Sequence, residues 1–122
     1  MTTPKFGLPY IATSQASPEI THNQALNMLQ MLSGGVVSRG LNAPPGGPAE
    51  GATYIVGTAP TGAWAGWANA IAGWFGGAWV FVPGVDGAGT PIPLGAEHEG
   101  LVVYDQTTNA QQLWSGAAWA PL

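Results

Sequence analysis

Proline and glycine decide where this chain can be regular. Glycine takes 19 of its 122 positions and proline 11. A proline inside a helix removes a backbone donor and clashes with the preceding turn, and in a sheet it is confined to edges and ends. The stretch "NAPPGGPAEG", residues 42–51, therefore reads as a connector, because Pro44, Pro45 and Pro48 exclude both helix and central strand. "ITHNQALNMLQMLSGG" is the one convincing helix. The spacing predicts a helix over about 22–33, with Thr21 as its cap, Gln24 reaching back from the third helical position and Ile20 contacting Ala25 as a staple. Ala25, Leu29, Leu32 and Val36 fall on one stripe with Met28 beside it, and Gly34 and Gly35 stop the helix.

Upstream, residues 1–18 are punctuated by proline and serine, and Pro9 biases Leu8 away from helix. This part reads as an extended docking arm whose Phe6, Leu8, Tyr10 and Ile11 need a surface to lie against. Downstream, "VVSRGL" reads as a short strand. "ATYIVG", "IAGWF", "AWVFVP", "GLVVYD", "QQLWS" and "AAWAPL" are aromatic or β-branched runs separated by Gly, Asn, Asp and Pro. The expected fold is α+β and mainly β. Behind the arm, residues 19–122 form a single helix-plus-β domain whose β part, about 36–122, is a small antiparallel sheet of aromatic hairpins.

Two of those hairpins share a pattern. "GWFGGAW" places Trp74 and Trp79 around Gly76 and Gly77, and "LWSGAAW" places Trp114 and Trp119 around Ser115 and Gly116. Glycines supply the positive φ that a tight hairpin needs, and indoles facing each other across such a turn add about 0.2–1 kcal/mol over alanine pairs. Flat indole faces also suit pyranose rings, so the same residues are candidates for glycan contact. A chain poor in Leu and Ile must draw on its tryptophans for a core, which favours packing. Trp64 and Trp67, in "GAWAGWAN", follow no clear alternation and are candidates for contact with a glycan or a neighbouring subunit.

Charge narrows the function. Only 7% of residues are charged, the formal net charge is −4, and Lys5 and Arg39 are the sole basic side chains. Two cations cannot neutralise a phosphate backbone, which excludes nucleic acid as a partner. No run has the length of a membrane span, the N-terminus lacks the pattern of a signal peptide, and the expectation is a chain made in the cytoplasm with no membrane partner. Without cysteine there are no disulfides, thiolate metal sites or thiol nucleophiles, so stability rests on packing or assembly. A charge-poor exterior favours association with copies of itself.

Nothing here points to catalysis, a metal or a cofactor. His22 stands at the helix start with no nucleophile or carboxylate tied to it by spacing. "EHE" at 97–99 reads as a solvated turn, since neighbouring residues of a strand point to opposite faces. "DGAG" at 86–89 lacks the lysine and the strand-to-helix context of a phosphate loop. Glu19, Glu50, Asp86, Glu97, Glu99 and Asp105 show no spacing that suggests a catalytic pair.

Taken in order, "GLPYIATSQASPEITHNQAL", "APPGGPAEGATYIVG", "TGAWAGWANAIAGWFGGAWVFVPG" and "LVVYD" followed by "LWSGAAWAPL" resemble a family of domains of unknown function found in bacteriophages, prophages and phage-like gene transfer agents. The resemblance implies a virion component, similar to parts of head spikes and tail-associated fibres. It further implies location on the particle surface, capsid or tail proteins and a fibre protein as partners, and self-assembly as a trimer or pentamer. Because the sequence stops at Leu122, directly after the last hairpin, the expectation is a non-enzymatic base, adaptor or decoration subunit. The alternative is a glycan-binding module that touches host surface polysaccharide.

Overall fold

The computed structural model describes residues 1–122. It contains one helix, α1 (Pro18–Ser33), and seven strands: β1 (Arg39–Leu41), β2 (Thr53–Val56), β3 (Ile71–Phe75), β4 (Ala78–Val82), β5 (Val102–Asp105), β6 (Ala110–Trp114) and β7 (Trp119–Pro121). The fold is α+β with mostly antiparallel pairing, but its strands form two sheets rather than one. β1-β2-β3-β4 make a four-stranded sheet and β5-β6-β7 a three-stranded sheet. β1 is the exception to antiparallel pairing, since it runs parallel to β2. The proline-rich connector between them is long enough to carry the chain back along the sheet.

One short segment ties the sheets together. Val36 bridges to Asp105 of β5, its amide donating to Tyr104 O at 2.8 Å, while the Val37 amide already donates to Thr53 O of β2 at 2.7 Å. The predicted strand "VVSRGL" thus crosses from one ladder to the other within two residues. It also carries Arg39, whose Nη1 donates to Trp119 O at 2.7 Å across the seam.

The helix begins earlier than its capping signals predict. Pro18 occupies its first turn, where a missing amide costs nothing. Ser17 precedes it in the left-handed conformation and makes no side-chain cap. Thr21 therefore lies inside the helix and accepts a hydrogen bond from the Gln15 side chain instead of capping. Ile20 is exposed, so no staple forms. The stripe is also rotated: Met28 and Met31 are buried and Leu32 is partly so, whereas Leu29 is exposed. Methionine fills irregular gaps, and these two pack with Val36, Ile55, Ile71 and Val82 under the four-stranded sheet.

Alternation gives that sheet two different faces. Ile55, Ile71 and Val82 lie side by side on the helix-facing side, together with Val103, Trp114 and Trp119 from the three-stranded sheet. Tyr54, Ala72 and Phe81 share the opposite face, where a second, smaller core forms around Val56 and Trp64. No helix is long and apolar enough to cross a membrane.

Candidate functional site

The arm's four apolar residues divide into two pairs. Phe6 and Leu8 pack against the central core, so they are not free for a partner. Tyr10 and Ile11 are 49% and 51% exposed and, with Met1, Ala12 and Thr13, line an apolar groove of about 580 Å³. The arm is a closed loop and not an extended strand. Thr3 accepts from the Gly7 amide at 2.9 Å and, through Oγ1, from the Leu8 amide at 2.8 Å, and its own amide donates to Leu8 O at 2.7 Å. The Tyr10 amide donates to Met1 O at 2.9 Å. Gly7 makes the reversal, with φ +68°, and a Cβ there would stand 2.8 Å from Val85 O.

A buried histidine bolts the loop down. His98, 2% exposed, accepts from the Gly95 amide through Nδ1 at 3.1 Å, which leaves the proton on Nε2 to be donated to Lys5 O at 2.6 Å. Its ring lies 5.2 Å from that of Phe6. The "EHE" turn is therefore solvated only at Glu97 and Glu99, and the histidine between them is structural. His22 is exposed on α1, and no group of three or more His, Asp or Glu side chains comes together. "DGAG" is a turn closed by Asp86, whose Oδ1 accepts from Ala88 and Thr90 amides at 2.8 and 3.0 Å.

The two tryptophan hairpins have the expected register and different environments. Trp74 pairs with Trp79 across Gly76 and Gly77, both at positive φ (60° and 84°), and Trp114 pairs with Trp119. Trp114 and Trp119 belong to the central core. Their indole N–H groups donate to Gly95 O and Asn69 O, each at 2.8 Å. Trp74 and Trp79 stand half-buried on the opposite face, 5.0 Å apart and edge to face. Trp79 also meets Trp64 edge-on at 5.1 Å, and Trp64 is fully buried with its Nε1 unpartnered. Trp67 lies flat against Phe81. Trp67, Trp79 and Phe81, with Thr2 and Pro9 of the N-terminal loop, line a groove of about 370 Å³ beside β4. Phe81 carries no signal of this role in the sequence, where it stands in a run of apolar strand residues.

A third cleft, of about 290 Å³, sits at the seam of the two sheets. Arg39, Asn42, Thr58, Asn69 and Trp119 line it over a floor of Ile55, Val56 and Gly57. Gly57 is needed there because a Cβ would collide with Asn42 Oδ1. That oxygen accepts from the Ala59 amide at 3.1 Å. No motif announced this cleft. Its one signal in the sequence is that Arg39 is half of the chain's basic complement.

These elements define a small α+β domain whose exposed features are an apolar loop tip, an aromatic groove and a polar cleft. A family model described as "Protein of unknown function (DUF2793)" matches residues 22–92, more than half of the chain, and the chain belongs to that family. The matched stretch runs from α1 through β4 and stops short of the three-stranded sheet. No curated protein matches the chain.

Proposed function

We propose that this chain is a non-enzymatic structural subunit of a phage-type particle, serving as a base, adaptor or decoration subunit of a head spike or fibre. The observation that carries the proposal is the divided N-terminal loop. Its inner half is locked to the domain through Phe6, Leu8 and His98, so its outer half presents Met1, Tyr10 and Ile11 as an ordered apolar tip. Ordering before contact lowers the entropic cost of docking, and an apolar tip is suited to burial in a capsid or tail protein.

Two further observations support assembly. β4 pairs on one side only, with β3, and its sequence "AWVFV" carries no charge or proline to discourage a further strand. Lys5 and Arg39 form no salt bridge, so little of the surface is organised by charge. The indoles proposed for glycan contact are largely spent on one another, which favours the structural reading over an aromatic sugar platform.

The test is incorporation into particles of chains carrying Tyr10→Glu and Ile11→Glu, with the mass of each purified chain measured by light scattering. The expected result is a folded, self-associated variant that is missing from particles. Incorporation equal to the parent overturns the docking role of the tip, and a strictly monomeric parent overturns self-assembly.

A further inference from the structure

We propose that the cleft at the sheet seam binds a sugar acid, a hydroxylated ring carrying a carboxylate, with Arg39 holding the carboxylate and Asn42, Thr58 and Asn69 the hydroxyls. This site is separate from the loop tip and from the aromatic groove beside β4, although Trp119 of the second tryptophan hairpin forms part of its wall, and it does not depend on the structural role.

The argument begins with an unspent cation. Arg39 makes one hydrogen bond within the chain, from Nη1 to Trp119 O at 2.7 Å, and no carboxylate lies within salt-bridge distance. That bond orients the guanidinium and leaves its Nε–Nη2 edge without a protein acceptor, and this edge is the fork that matches a carboxylate in two parallel bonds.

The other polar groups are neutral and short. Asn42 has its oxygen fixed by the Ala59 amide, which leaves Nδ2 as a donor. The Asn69 amide and the Thr58 hydroxyl make no hydrogen bond within the chain, although the Asn69 backbone is held through its carbonyl by the Trp119 indole at 2.8 Å. Asn69 also sits at φ 65°, a conformation that costs energy and is retained where the surroundings enforce it. Amides and hydroxyls both donate and accept, as sugar hydroxyls do. A phosphate-rich ligand calls for more than one cation, and an extended peptide calls for a longer groove. A cleft of about 290 Å³ has the size for a single ring.

The test uses the whole chain labelled with ¹⁵N, titrated separately with galacturonate, glucuronate, N-acetylneuraminate, galactose and acetate. The Trp119 indole N–H, which faces Asn69 O, is the reporter. At least one sugar acid is expected to shift that signal saturably, with galactose and acetate at least tenfold weaker. Arg39→Gln is expected to weaken the response at least tenfold. Because Arg39 also steadies Trp119, Asn69→Gly and Thr58→Val serve as independent variants, each expected to weaken binding at least threefold while the other five indole signals stay in place. No saturable shift with any sugar acid overturns the proposal. So does galactose or acetate binding as tightly as the best sugar acid, or unchanged binding in Arg39→Gln or in both of the other variants.

Discussion

Trp67 lies flat on Phe81, with ring centroids 4.2 Å apart and planes 3° from parallel, while the other aromatic contacts of the chain are tilted or edge-on. The stack fastens the irregular stretch after β2 to the edge strand β4. A double-mutant cycle with Trp67→Ala and Phe81→Ala is expected to give a coupling of about 0.5–1.5 kcal/mol in urea unfolding. Additive single variants would show that the stack is mere proximity.

Two buried tryptophans separate packing from hydrogen bonding. Trp64 has an unpartnered indole N–H, whereas that of Trp114 donates to Gly95 O at 2.8 Å. Both Trp→Phe changes lose volume, but only Trp114→Phe gives up a hydrogen bond, Gly95 O keeping the His98 amide as its one donor, while Trp64→Phe removes a desolvated N–H. Trp114→Phe is expected to be the costlier by about 0.5–1.5 kcal/mol, as read by chemical denaturation of the two variants side by side.

The N-terminal loop has a built-in reporter. Lys5 and Arg39 are the only tryptic sites, and the Lys5 carbonyl is held by His98. Gly7→Ala forces a side chain into a left-handed conformation that costs about 1–3 kcal/mol and into Val85 O. His98→Leu leaves the Lys5 carbonyl and the Gly95 amide unbonded. Both changes are expected to speed cleavage after Lys5 well beyond cleavage after Arg39, as followed by mass spectrometry of a time course.

Gly57 shapes the seam cleft by leaving room for Asn42. In Gly57→Ala the amide must move away, and the Ala59 N–H loses its acceptor. Faster hydrogen exchange at Ala59 is expected, with a loss of about 1–3 kcal/mol for the Cβ forced against Asn42 and Gly40 O, while water takes over the exposed Ala59 amide. Unchanged protection at Ala59 would show that the cleft wall is softer than its geometry suggests.

What could be read from the sequence was local. The strands around Trp74, Trp79, Trp114 and Trp119 follow from aromatic runs cut by glycine, and their cross-turn pairing follows from turn length. The connector was legible as a connector, but not the work of its Glu50, whose carboxylate accepts from the Gly76 amide at 3.0 Å and steadies the first tryptophan hairpin. The helix start was misplaced because Thr21 and Gln24 form a good capping pattern that Pro18, three residues earlier, overrides. The roles of His98 and Arg39 escaped because their partners lie 93 and 80 positions away, where no sequence period reaches, while the loop closes through local backbone bonds such as those between Thr3 and Leu8 that carry no side-chain pattern.

The crossing of Val36 and Val37 from one ladder to the other has a bearing on how the molecule is made. Met28 and Met31 emerge early in synthesis, yet the core that covers them needs Val103, Trp114 and Trp119, which follow more than seventy residues later. Until those arrive, the helix has no complete seat, and the open sheet edge and apolar face remain available to other nascent chains. The chain therefore closes its core late, once the three-stranded sheet has been made.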